Sequence, residues 1–210
     1  RDCLLSRGLG DVYKRQDKVT IRENSGIKIA SELGIHAEQV LDPTFLLDKN
    51  EWEKLIPNRK CDEKYVLVYQ LHPNKQFDAY AKEFAKRKGL KLYRVSHCFH
   101  HIVRSGKFIC CPPVGEFLWY IKNAEYFLTD SFHGTAFSIG LNTQFVDVLP
   151  KSYSERISSI LELIGYENRI LKSYDDFKIA EEKIDFNKVN EIISTERKKS
   201  FDILKDMIGD

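Results

Sequence analysis

Tyr126–Val148, YFLTDSFHGTAFSIGLNTQFVDV, is the stretch that decides the fold class. Tyr126-Phe127-Leu128-Thr129 is a short apolar run of β-favouring residues, the pattern of a buried strand. It breaks at Asp130-Ser131, both helix N-cap types, and passes through Phe132-His133-Gly134. A compact apolar helix is expected over Thr135–Leu141 and a further strand over Gln144–Val148. The stretch therefore reads as a βαβ unit whose polar residues gather in one strand-to-helix turn. In an open α/β sheet such turns lie at the carboxyl ends of the strands, where ligands bind. The N–H groups and the dipole of a helix start favour anions there. His133 is the one titratable side chain in the turn that moves a proton near neutral pH. The alternative is a capped turn whose histidine only packs, and spacing alone leaves both readings open.

The same alternation extends outward in both directions. Tyr65–Leu71, YVLVYQL, is the strongest strand signal, and His72-Pro73-Asn74 turns it. Phe77–Lys88 follows as an amphipathic helix with Phe77, Tyr80-Ala81 and Phe84-Ala85 on one face, stopped by Gly89. Leu90–Val95 and Phe108–Cys111 read as strands, Gly115–Asn123 and Arg156–Ile164 as helices. Near the start, Lys18–Ile21 is a strand, Arg22–Gly26 its turn, and a helix ends at Gly34. Val40-Leu41 is a short strand before the Asp42-Pro43-Thr44 turn, and Asp48 caps a short helix. A long helix from about Asn187 to Ile208 ends the chain. Strands alternating with helices imply a doubly wound, Rossmann-like parallel sheet.

The 210 residues, with 42% hydrophobic and 30% charged, suit a globular protein with a sizeable core. No apolar run approaches the ~20 residues of a membrane helix, so no membrane span is expected. Arg1–Gln16 has no periodicity, and the only methionine of the chain is Met207. This segment looks like translated adapter sequence and is set aside as a non-native leader, leaving 17–210 as one domain. The leader holds Arg1, Arg7, Lys14 and Arg15 against Asp2 and Asp11, so the rest carries 29 residues of each sign. That neutral body argues against a nucleic-acid or anionic-membrane partner. Five cysteines, with Cys110 and Cys111 adjacent, form no secreted disulfide framework and point to a reducing, cytoplasmic setting.

His97-Cys98-Phe99-His100-His101 with Cys110-Cys111 lacks the paired spacing that puts ligands on one centre, so a loop is expected and no metal. Neither a P-loop nor a G-x-G-x-x-G or G-x-S-x-G sequence is present. What remains is Arg22 with Glu23, the Asp42-Pro43-Thr44 turn, and Asp130 through Gly134. An arginine fork suits phosphate or carboxylate. A surface ion pair is the plainer account of Arg22–Glu23, and a rigid turn that of Asp42–Thr44.

At these residues the chain resembles the polysaccharide pyruvyl transferase family. The resemblance rests on TIRENSG at Thr20–Gly26, VLDPTFLLDKNEW at Val40–Trp52, YVLVYQL at Tyr65–Leu71, PPVGEFLWYIKNAEYFLTDSFHGTAFSI at Pro112–Ile139 and SERI at Ser154–Ile157. It implies one lobe, the C-terminal one, of a two-lobed fold similar to glycosyltransferase B enzymes, the other lobe being absent. It also implies transfer of a pyruvyl group from phosphoenolpyruvate to a pair of sugar hydroxyls as a ketal, with no cofactor. The partners are then phosphoenolpyruvate and a saccharide acceptor, and this piece alone is expected to be inactive. Catalytic candidates are His133, with Glu23 or Asp130 orienting it or taking the hydroxyl proton. Arg22 matches a donor-binding arginine, and Ser131, Gly134, Thr135 and Arg156 complete the substrate-binding candidates. Many members have arginine two positions before the histidine, where this chain has Ser131. A non-catalytic sugar- or anion-binding lobe, or a transferase using a nucleotide sugar, are the alternatives.

Overall fold

Strand and helix alternate along almost the whole chain in a computed structural model that describes residues 18–152 and 154–209. The elements are β1 (Thr20–Ile21), α1 (Asn24–Glu32), β2 (Glu38–Gln39), α2 (Lys49–Glu53), β3 (Tyr65–Tyr69), α3 (Lys75–Lys88) and β4 (Lys91–Ser96). They continue with β5 (Lys107–Cys110), α4 (Val114–Lys122), β6 (Tyr126–Thr129), α5 (Phe132–Leu141), β7 (Phe145–Asp147), α6 (Glu155–Ile164) and α7 (Phe186–Ile208). The segment Arg1–Gln16, read above as a leader, lies outside the described residues.

Two compact units share the chain: residues up to Leu46 with those from Ser194 onward, and Leu47–Ile193. The expected single domain over 17–210 drew no boundary at these points, and α7 contributes residues to both units. In the first unit β1 and β2 pair in parallel, Thr20 opposite Glu38. The ladder forms at Glu38-Gln39, two residues before the expected Val40-Leu41, although the Val40 N–H still reaches the Ile21 carbonyl at 3.0 Å. Leu41 is buried and its N–H donates to Ser200 Oγ at 3.0 Å.

The second unit holds the expected α/β core: a five-stranded, all-parallel sheet in the order β5-β4-β3-β6-β7, flanked by helices, of the Rossmann-like doubly wound type. Period-two alternation along β3 assigns its faces. Val66 and Val68 belong to the cluster packed on Phe77, Tyr80, Ala81 and Phe84 of α3. Tyr65 and Tyr69 point the other way, the Tyr65 hydroxyl donating to the Tyr120 carbonyl at 2.8 Å and the Tyr69 ring meeting Phe117 edge-on. With both faces covered, a run with no polar alternation is what a central strand requires. Caps fix the helix ends, at Asp48 and Gly89 as the sequence indicates and at Asn74 ahead of a helix that starts at Lys75, two residues before the expected Phe77. Asn74 accepts from the N–H groups of Gln76 and Phe77, Asp48 from that of Glu51, and Gly89 closes α3 at φ 66°.

α5 differs from expectation, starting at Phe132 rather than Thr135. Ser131 is its N-cap and accepts from the Gly134 N–H at 3.4 Å, so His133 sits in the first helical turn. Gly134 lowers helix propensity in the sequence, but packing requires it. A Cβ there would lie 2.5 Å from Thr129 Oγ1, which donates to the Tyr69 carbonyl and accepts from the Ser131 N–H and so has no room to yield. Gly134→Ala should therefore cost about 1–3 kcal/mol, read as a lower urea midpoint at unchanged m-value; an unchanged midpoint would contradict this packing.

Candidate functional site

Strand order reverses between β3 and β6: β4 and β5 extend the sheet from one, β7 from the other. Crevices outside the carboxyl ends of strands at such a switch point are where open α/β sheets bind ligands. In register, Tyr69 at the end of β3 faces Thr129 at the end of β6. The next residue after β6, Asp130, has a buried carboxylate, and three donors from the loop after β3 converge on it. The Leu71 N–H reaches Oδ1 at 2.7 Å, the His72 N–H reaches Oδ2 at 2.9 Å, and His72 Nδ1 lies 3.1 Å from Oδ2. A carboxylate only accepts, so in the neutral ring Nδ1 carries the hydrogen and Nε2 keeps its lone pair. The His72 side chain is 52% exposed, against 3% for Asp130.

Sequence reasoning passed over His72, which read as part of a turn. Nothing local marks a histidine whose partner is 58 residues away. Asp130, one of the two candidates for orienting His133 or taking the hydroxyl proton, engages the β3 loop. His133 itself is exposed on the first turn of α5, its ring 5.4 Å from that of Phe132, so it is not a packed core residue. Arg156, near the start of α6, sets its guanidinium carbon 5.8 Å from the Phe132 ring centre and so brings a cation to the same turn. Ser131, Gly134 and Thr135 are buried, and their polar atoms serve the helix start. Thr135 Oγ1 lies 3.1 Å from the Ser131 carbonyl and 2.7 Å from Oδ1 of Asp147.

More charge lies beneath the edge. Gln70, directly after β3, has Oε1 3.1 Å from Arg94 Nη1 and 3.2 Å from Arg104 Nη1. Both arginines also approach the single carboxylate of Asp78. Arg94 Nη2 is 3.0 Å from it but off-axis, so the contact is Coulombic rather than a directed hydrogen bond. Two guanidinium groups over one carboxylate leave a positive surplus beside the switch point. On the sheet's other face a cavity of about 270 Å³ opens at the same edge, walled by Tyr69, Val95, Ser96, His97, Cys111 and Phe117. Burial, and then the negative charge of Asp130, push the Tyr69 hydroxyl pKa up, which keeps it a donor.

Arg22 and Glu23 lie in the first unit. Glu23 Oε1 is 3.9 Å from the Arg22 guanidinium, but the closer partner of Arg22 is the buried Asp42. Asp42 also accepts from the Thr44 N–H at 3.0 Å and hydroxyl at 2.8 Å. Burial works against its charge, yet Thr44 and Arg22 outweigh it and hold the carboxyl below its usual range. Pro43–Phe45 is a 3-10 turn capped by Asp42, and the same carboxylate anchors the arginine. Arg22 further lines a mainly apolar cavity of about 330 Å³ with Val40, Leu41, Ile203 and Met207.

A profile of the polysaccharide pyruvyl transferase family matches residues 5–153. The chain belongs to that family. The match starts within the segment set aside as a leader and runs through the Asp130–Thr135 turn. No curated protein matches the chain. Membership makes the chain a transferase of a family whose acceptor is a saccharide. Among its described residues no helix is long and apolar enough to cross a membrane, and no three His, Cys, Asp or Glu side chains gather as a metal site.

Asp147, at the end of β7, is fully buried, and its Oδ2 has no hydrogen-bond partner. Burial pushes its carboxyl up to about 8, Thr135 opposes this, and the charge of Asp130 adds to it. The folded state thus holds a proton that the unfolded chain, at 3.8, releases. Stability from this group is fully present below about pH 4 and is lost as pH rises towards 8, by about 1.4 kcal/mol per pH unit. Asp147→Asn should gain on the unaltered chain across pH 4–8, seen as diverging urea midpoints; parallel midpoints would refute the buried neutral carboxyl.

Proposed function

We propose that this chain acts in transfer of a pyruvyl group from phosphoenolpyruvate to two hydroxyls of a sugar, forming a ketal and releasing phosphate. What carries the reading is His133: an exposed proton-transfer group on the first turn of a ten-residue helix, at the switch point of a sheet in a chain of this family. Phosphoenolpyruvate is small and highly charged. A helix start and guanidinium groups suit it better than they suit a neutral sugar. Where the family pattern has a second arginine, Ser131 caps the helix instead, and Arg156 beside Phe132 supplies positive charge to the same turn. Arg22, which Asp42 orients in the first unit, matches a donor-binding arginine by resemblance alone, and donor binding in the second unit does not depend on it.

Ketal formation needs a proton on the enol methylene carbon as a hydroxyl attacks carbon two. His133 supplies that proton as general acid, a contribution of typically 10²–10⁴-fold. Because the proton is in flight only in the transition state, its loss should spare donor binding.

Thermal unfolding with phosphoenolpyruvate, and separately with a nucleotide sugar, tests the donor. Phosphoenolpyruvate at a hundred times its Kd should stabilise the chain by about 2.7 kcal/mol, and the nucleotide sugar should leave it unchanged. His133→Asn should retain that shift and its melting temperature, while in a family member that carries both lobes the equivalent substitution should lower phosphate release with a saccharide acceptor ~100-fold. Stabilisation by the nucleotide sugar alone, or a His133 variant that is destabilised yet fully active, would overturn the reading.

A further inference from the structure

We propose that His72, held by Asp130, is the base that takes the proton from the attacking sugar hydroxyl. The proposal rests on the pyruvyl-transfer reading and supplies the group which that reading lacks. Three features single out this histidine. Its ring nitrogen Nδ1 and its own backbone N–H both meet Asp130 Oδ2, at 3.1 and 2.9 Å, which fixes the side chain relative to its backbone. The Asp130 carboxylate is buried while half of the imidazole faces solvent, so the outward nitrogen is the basic Nε2. Finally, the Gln70 amide donates to the carbonyls of His72 at 2.8 Å and Asn74 at 3.2 Å, so the loop is braced on both sides.

A carboxylate behind an imidazole orients the ring, selects the tautomer and stabilises the imidazolium that forms when the ring accepts a proton. His72 and His133 follow adjacent strands on either side of the switch point, three residues after Tyr69 and four after Thr129, which are paired in register. They serve as opposite partners. In the first step the acceptor O–H bond breaks, its proton passes to His72 Nε2 and its oxygen bonds carbon two. The enol π pair moves to carbon three, which takes a proton from the His133 imidazolium. In the second step the other sugar hydroxyl gives its proton to the now neutral His133 and bonds carbon two. The bond from carbon two to the phosphate oxygen breaks, and His72 returns its proton to the departing phosphate. Both histidines end as they began, and one phosphoenolpyruvate with two hydroxyls gives one ketal and one hydrogen phosphate. Asp130 touches no substrate and is a positioning residue.

The test uses the full chain, with histidine ring nitrogens observed by ¹⁵N NMR. Neutral His72 should be the Nδ1–H tautomer, and Asp130→Asn should shift it towards Nε2–H. His72→Gln should keep the melting temperature and the stabilisation by phosphoenolpyruvate while phosphate release with methyl hexopyranosides falls ~100-fold. Where the unaltered chain releases no phosphate, the tautomer decides. No stabilisation of the unaltered chain by phosphoenolpyruvate overturns the transferase reading. Stabilisation with His72 as the Nε2–H tautomer, or with phosphate release unchanged in His72→Gln, overturns the base assignment alone.

Discussion

A carboxylate buried at the seam between β3 and β6 must be met by donors, because an unpaired buried charge costs several kcal/mol. Asp130 meets this condition by drawing in the loop after β3, whose Leu71 and His72 N–H groups and His72 ring all point at it. The consequence reaches beyond one residue. The ends of the two strands where the winding reverses are tied at fixed separation, and the crevice between them has one defined wall. Thr129 reinforces the tie from below, donating to the Tyr69 carbonyl at 2.8 Å while accepting from the Ser131 N–H. The first turn of α5 is therefore placed by hydrogen bonds to the strand before it and to the strand beside it. His133 takes its position from that turn.

Charge at the site is divided by depth. The carboxyl of Asp147 is fully buried and kept neutral by burial, so it adds little negative field under the proposed donor site. Arg94 and Arg104 over Asp78 add positive charge at the same edge, and Arg156 adds more from α6. The first unit repeats the theme on a smaller scale, with a buried carboxylate, Asp42, holding an arginine that remains partly exposed. In both units a buried acidic residue orients a basic side chain from a distant part of the chain.

Local pattern made most of the fold legible. The unbroken apolar run of β3, the Phe77–Ala85 face of α3 and the helix-end residues Asp48 and Gly89 each carry their structural meaning within a few neighbours. Tyr126–Thr129 was legible to the residue. The start of α5 was not, because Phe132-His133-Gly134 has weak helix propensity and only the close approach of Gly134 to Thr129 explains the glycine. His72 was hidden for a different reason. Its role depends on a contact across 58 residues and on strand order, neither of which spacing reveals. The Arg22–Asp42 pair, 20 residues apart, was missed likewise, although both motifs had been singled out separately.

The central claim is that the carboxyl edge at the β3–β6 switch point binds the anionic donor in the second unit. Amide chemical-shift mapping during a phosphoenolpyruvate titration tests it most directly. Saturable shifts should centre on Gln70–Asn74 and Asp130–Thr135, with Arg104 and Arg156 following at the same midpoint. Shifts centred instead on the opposite, amino edge of the sheet, around Cys61–Lys64, or no saturable shift at all, would contradict it.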